Sequence, residues 1–483
     1  MHHGLKPYPA MKDSGVPWLG EVPAHWEILP NRALFAEVKE REHPEEQMLS
    51  VTITQGVIRQ RTLLEASSKK DSSNQDKSAY KLVCPRDIAY NKMRTWQGAI
   101  GVSDLRGIVS PAYVVVRLRE DNDPRYFHHL FRTPQFAKEA ERWSYGITSD
   151  MWSLRPEHFK MIYCSLPSRD EQSAIVRFLD YADQRIRRYI RTKQRLIKLL
   201  EEQKQVIIHR VVTRGLDPNV RLKPSGMEWL RDVPKHWKIA RLKDAAVVQT
   251  GLTLGKNYQG VVTESRPYLR VANVQHGRLD LSEVKYLDVP LDEAAGATLR
   301  AGDVLMTEGG DIDKLGRGCV WRDDIPGCLH QNHVFAVRCR REILTPEFLV
   351  GLMVSQHGRA YFQLTAKQTT NLASTNSSTL RAFPVLLPPV PEQQAILDQI
   401  LRQTSSLDAA ITRTEREIDL LREYRTRLVA DIVTGKADVR EAAAKLPDEA
   451  ELREPLEGAD RLADSREEAD DADLEAALEE AEA

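Results

Sequence analysis

The chain has 483 residues, of which 41% are hydrophobic and 29% charged, with 69 Lys and Arg against 70 Asp and Glu. At roughly 100–200 residues per domain, two to four folding units with real cores are expected. The longest apolar runs, Val114 to Val116 and the proline-broken Ala382 to Val390, are far too short to span a membrane, and Met1-His2-His3-Gly4 opens into polar sequence. Five cysteines (Cys84, Cys164, Cys319, Cys328 and Cys339) without a CxxC fit a reducing cytoplasm rather than a disulfide framework.

The near-zero net charge hides an asymmetry. Residues 441–483 hold 17 acidic and 4 basic residues, a net of −13, so residues 1–440 carry +12. The acidic, Ala-rich tail lacks aromatic and branched apolar residues and reads as solvated or disordered, with a frayed helix near Leu474 to Ala481. The basic body makes a polyanion the first partner to consider.

In chain order, the first element recurs later. Residues 12–26 read KDSGVPWLGEVPAHW, and residues 223–237 read KPSGMEWLRDVPKHW, with nine of fifteen positions identical and both tryptophans matched. After each comes a divergent stretch of about 140–150 residues. In the first, Pro85-Arg86-Asp87-Ile88 leads into a strand, Tyr113 to Leu118 is a buried strand, and Asp123-Pro124 starts a helix. In the second, Ala301-Gly302-Asp303-Val304, Val334 to Arg338 and Thr345-Pro346 repeat that order, which predicts a shared α/β fold with different surfaces.

Each divergent stretch ends in a second repeated element. Leu166-Pro167, Glu171-Gln172 and Ala174-Ile175 recur as Leu387-Pro388, Glu392-Gln393 and Ala395-Ile396. Ile186, Ile190, Ile197, Leu200, Ile207 and Val211 follow a coiled-coil period, with Lys193 and Lys204 in the missing seam places. Leu407, Ile411, Ile418, Leu421, Leu428 and Ile432 repeat the pattern, with Thr414 and Arg425 at the equivalent positions. Pro167 and Pro391 are expected ahead of the helices, and Gly215 and Gly435 at their ends. One such helix alone would leave its stripe wet, and the link from Gly215 to Lys223 is too short for a return, so the two helices should pack antiparallel. The predicted architecture is two globular α/β domains separated by two long antiparallel coiled-coil helices, related by a pseudo-two-fold repeat. Its segments are a first domain (1–165), a first helix (166–215), a second domain (216–386), a second helix (387–435) and the acidic tail (436–483).

No catalytic constellation is found. Gly251 to Lys256 is one residue short of a P-loop, no N-P-P-Y or HExxH occurs, and Cys319, Cys328, His330 and His333 match no standard zinc spacing. Glu37 with Lys39 and Glu283 with Lys285 mimic the end of a nuclease motif, with no partner aspartate to place. What remains is fit for touching DNA. Lys92, Arg94, Trp96 and Gln97 put two cations, an aromatic and an amide in one loop. Lys314 and Arg317 sit in the glycine-rich run Gly309 to Gly318, and Thr148, Ser149, Thr370 and Asn371 supply small hydrogen-bonding groups ahead of the long helices. Such cations contact phosphate or read guanine, and glycine lets the backbone approach closely. An ordinary solvated loop is the competing reading at each position.

The doubled SGxxWLxxVPxHW segment, the LPxxxEQxAI helix starts and the GDVL, NH-VFAVR and TTN order in the second domain closely resemble type I restriction-modification specificity subunits, over roughly residues 11–435. The first domain departs at Pro85-Arg86-Asp87-Ile88, where Gly-Asp is usual, and at Ile147 to Met151 in place of TTN. The resemblance implies two target-recognition domains, each reading half of an asymmetric bipartite site on double-stranded DNA, and helices that measure the unread spacer. It implies docking of two methyltransferase subunits, with restriction/translocase subunits joining them. It also implies that S-adenosylmethionine, ATP and Mg2+ belong to those partners, leaving this chain non-catalytic. Two alternatives stay open: a self-contained DNA-modifying enzyme, and a coiled-coil protein scaffold.

Overall fold

A computed structural model describes residues 5–447 apart from 67–75, 147–151, 254, 256, 257, 259, 276, 311, 313, 314, 317 and 369–372. Two compact units result, and they do not follow chain order: residues 1–192 with 417 onward form one, and Lys193–Arg416 the other. Each is described by itself.

The first unit is built on an antiparallel sheet ordered Phe35–Val38, Tyr113–Leu118, Ile88–Asn91, Ile100–Val102. Its YVVVRL strand is almost continuously apolar because both faces are covered. Val114 and Val116 point into the core of aromatic helices, and Tyr113 and Val115 into a second cluster under Leu49 and Val83. Helices Pro124–Phe131 and Pro134–Arg142 follow, capped by the Asp123 and Thr133 side chains. The strand Tyr163–Leu166 then pairs with Glu27–Pro30.

The second unit repeats this plan. Its sheet is ordered Ala246–Thr250, Val334–Cys339, Asp303–Thr307, Gly318–Val320. Helices Pro346–Val354 and Gln356–Thr365 come next, and Pro384–Leu387 pairs with Lys238–Arg241. Phe335 and Val337 face one core, Val334 and Ala336 another. Matching ion pairs brace the sheets: Arg117 grips Asp87 at 2.6 and 2.8 Å, and Arg338 grips Asp303 at 2.8 and 2.6 Å.

The turn before each aspartate holds a left-handed residue, Gly302 at φ 92° and Arg86 at φ 75°. The departure from Gly-Asp in the first unit is thus a side chain carried at a glycine position. Arg86 reaches Asp121 in an exposed contact and the Asn122 carbonyl in a part-buried one, both at a long 3.3 Å and of small value. At Gly302 a Cβ would meet the Arg341 guanidinium at 2.0 Å. Opposite outcomes follow: Gly302→Ala should lose about 1–2 kcal/mol, whereas Arg86→Gly should be neutral or gain up to about 1 kcal/mol. Urea titration of both variants checks the signs.

The long helices run Arg169–Arg214 and Val390–Val433, 46 and 44 residues. Pro391 therefore lies inside the first turn of its helix, not ahead of it, where a missing N–H costs nothing. In the first unit, Ser165 approaches the Val433 carbonyl while Asp183 pairs with Arg425, so chain numbers rise on one helix as they fall on the other. In the second, Lys204 bonds Asp408 at 2.5 Å, and Gly215 lies beside Glu392. Both pairings are antiparallel. Ile186, Ile418 and Leu428 are buried, and Ile190, Ile197, Leu200, Ile207, Leu407, Ile411 and Leu421 half-buried, so no predicted seam residue is exposed.

The doubled tryptophan motif closes each unit over a helix end. Trp26 and Trp237 are fully buried, and a Cβ at Gly435 or Gly215 would crowd Trp26 or Trp237 at 3.1 or 3.2 Å. Glu171 and Glu392, from the EQxAI motif, accept from His25 at 2.8 Å and His236 at 2.9 Å. The neighbouring Gln172 and Gln393 tie the long helix to the cap of the first short helix, receiving the backbone N–H of Asp123 and of Thr345 at 2.8 and 2.9 Å.

Candidate nucleic-acid interface

Because neighbours in each sheet are antiparallel, two strands end and two begin at the same edge. In the first unit that edge carries Lys39 and Arg41 after Val38, residues 92–98 after Asn91, and the turn before Tyr113. Lys81, on the adjoining strand pair, donates to the Tyr113 carbonyl at 2.5 Å, and the Leu82 N–H reaches the Glu40 carbonyl at 2.9 Å. Glu37 accepts from Lys160 at 3.1 Å and lies 3.7 Å from Lys39. The Glu37–Lys39 spacing that imitates a nuclease motif is therefore part of an ion-paired cationic cluster, and Glu283 is likewise paired, to Arg270 at 3.1 Å.

Lys81 is 9% exposed. Burial, with Lys92 close by, pushes its ammonium down to about 8, against a smaller upward pull from Glu37; Arg41 and Lys39 add to the lowering. The sequence gives no sign of this lysine, because it reaches the cluster only through strand pairing. Arg41 and Lys160 are equally illegible, and Lys39 shows in the sequence only as half of the Glu37–Lys39 pair.

Of the predicted contact residues, Lys92, Arg94 and Gln97 are half-buried at the sheet edge, with Arg94 donating to Gln97 at 3.3 Å. Trp96 turns inward on a short 3-10 turn, its indole N–H on the Met93 carbonyl at 2.8 Å and its ring edge-on to Trp152 at 5.6 Å. Packing occupies it. Thr148 and Ser149 lie outside the described residues, but their flank is tied to the cluster: the Leu154 N–H bonds the Lys92 carbonyl at 2.8 Å.

The equivalent edge of the second unit is organised the same way. The Thr375 N–H bonds the Glu308 carbonyl at 2.8 Å, and Gly309 and Gly310 pair with Ser374 and Ala373. Lys314, Arg317, Thr370 and Asn371 lie outside the described residues. Between the two cations, Leu315 is buried, and a Cβ at Gly316 would strike the Phe362 ring at 2.1 Å. The glycine is needed for that close approach, which fixes the base of the loop.

Among the described residues no group of three or more His, Cys, Asp or Glu could hold a metal, and no helix is long and apolar enough to cross a membrane. Cys319 and Cys328 are buried in an apolar cluster, and the His330 ring is bonded to the Val334 carbonyl at 2.7 Å.

No protein-family model matches the chain. It is 23% identical over 205 residues to the type I restriction enzyme MjaX specificity subunit of Methanocaldococcus jannaschii, covering 42% of this chain and 47% of that protein. It is 22% identical over 299 residues to the type I restriction enzyme EcoKI specificity subunit of Escherichia coli K12, covering 61% of this chain and 60% of that protein. The matched stretches thus span about half to three-fifths of the curated relatives. A chain from a solved structure concerned with complex assembly and conformational transition of the type I R-M system superposes with a TM-score of 0.58 at 17% identity, over 85% of this chain and 98% of that one. In sequence the relatives of this chain are the specificity subunits of type I restriction enzymes, and in fold it matches a chain of a type I restriction-modification system.

Proposed function

We propose that the chain is the DNA-specificity subunit of a type I restriction-modification complex, with each α/β unit reading one half of an asymmetric bipartite site on double-stranded DNA. The observation that carries this is the repeated sheet edge: two units of one strand order hold different loops at the same place, each braced on the flank of a second loop. The first edge is a cluster of cations about one carboxylate, the composition that backbone phosphates demand. The chain is non-catalytic on this reading. Methyltransferase subunits, two per chain, dock on it, and restriction/translocase subunits join them, bringing S-adenosylmethionine, ATP and Mg2+.

Reconstitution with a methyltransferase subunit tests this. Arg94→Ala and Gln97→Ala should relax base preference in one half-site only, by about 1–3 kcal/mol per lost bidentate contact, or about 5- to 150-fold. Sequencing of methylated sites reads the outcome. Equal loss in both half-sites, or methylation by the purified chain alone, would overturn the reading.

A further inference from the structure

One charged surface and one charged segment stand apart from the sheet-edge clusters. Residues 184–200 of the first long helix contain seven cations (Arg185, Arg187, Arg188, Arg191, Lys193, Arg195 and Lys198) and no carboxylate. The second long helix has no counterpart: residues 413–427 carry five cations and four carboxylates. Within the first unit Arg185 and Arg188 are exposed and Arg191 half-buried; Arg185 donates to the Tyr181 and Tyr189 hydroxyls at 3.0 and 3.2 Å, and Arg187 pairs with Asp183 at 2.8 Å. The unassigned segment is 448–483, with sixteen acidic and three basic residues.

The residues just ahead of that segment lie at Arg177. Its Nη2 donates to the carbonyls of Leu446 and Pro447, both at 3.0 Å, so the chain is held on this helix immediately before the acidic segment. Its Nε is buried with no partner among the described residues. At 3.6 residues per turn, Arg188 and Arg191, eleven and fourteen residues on, lie within about 40° of the Arg177 stripe. Arg188 is roughly 16 Å along the axis. Ten residues of chain span up to roughly 33 Å, and residues 448–457 alone supply five carboxylates.

We propose that the acidic segment 448–483 binds the arginine stripe Arg177, Arg185, Arg188 and Arg191 of the first long helix, shielding it from other polyanions. Single exposed pairs are weak, but many carboxylates tethered at the stripe's start act at high effective concentration. The contact is electrostatic, so salt dissolves it as the Debye length shrinks to about 3 Å at 1 M. It stands independently of the DNA-reading function.

Arginine footprinting of the full chain with an arylglyoxal tests it, against a full-length variant whose sixteen carboxylates in 448–483 are changed to Asn or Gln. Modification at Arg188 and Arg191 should rise at least threefold in the variant, and likewise in the native chain at 1 M salt, while Arg422 on the other helix stays constant. A synthetic 448–483 peptide added to the variant should restore protection at low salt. Equal rates in the two proteins at low salt overturn the proposal, whether nucleic acid or a second copy of the chain is then found to cover the stripe.

Discussion

Replacing Gln393 by leucine should cost the second unit about 3–5 kcal/mol, read as a lowered urea midpoint. The side chain is fully buried, and its amide serves three backbone groups at once. Its oxygen accepts from the Thr345 N–H at 2.9 Å, and its nitrogen donates to the carbonyls of Ile343 at 2.8 Å and Pro388 at 2.9 Å. Leucine fills the space and leaves all three unpaired, at about 1–3 kcal/mol each before relaxation. Gln172→Leu should do the same in the first unit, where the amide serves the Asp123 N–H, the Asn122 side chain and the Pro167 carbonyl. Gln393→Glu keeps one acceptor but sets a carboxylate oxygen against the Ile343 and Pro388 carbonyls, so at neutral pH it should cost at least as much as leucine. A leucine variant as stable as the native chain would mean that the repeated Glu-Gln is not a structural clamp.

That clamp marks how far the sequence could be read. The doubled motifs were legible as motifs, because the same residues recur at constant spacing, and the helix seam was legible because its period is local. What those residues do was not. Gln172 and Gln393 act on chain about fifty residues earlier, and Asp87 and Asp303 on strands some thirty residues later. Arg86 looked like a broken motif, yet it takes the left-handed conformation of Gly302. The loop candidates were legible by composition alone, which is why Trp96, an apolar packing residue on the structure, stood beside Lys92 and Arg94 without distinction. The cationic cluster was hidden for the same reason: Lys39, Lys81, Lys92 and Lys160 are scattered over more than a hundred residues and meet through sheet pairing.

Lys81→Met should separate stability from DNA binding. The folded chain binds this lysine's proton less tightly than the unfolded chain, at about 8 instead of 10.5. Below pH 8 both states are charged and the fold bears the full cost of the buried ammonium; as pH rises from 8 towards 10.5 the folded state sheds the proton first and stability climbs. Methionine has a similar reach and no charge. It should therefore stabilise the first unit at pH 7 by about 1–2 kcal/mol, after allowing for the lost bond to the Tyr113 carbonyl, and the advantage should vanish near pH 10. If the cluster holds a phosphate, the same change should weaken DNA binding about three- to tenfold and make the log–log salt slope shallower by roughly 0.9. Native affinity should fall as pH passes 8, and the variant's should stay flat across that window. Denaturation and fluorescence anisotropy at pH 7 and 9 read both effects. A variant that is less stable at pH 7, or that binds DNA as tightly as the native chain, would show that Lys81 is held for its bond to Tyr113 and not for an anion.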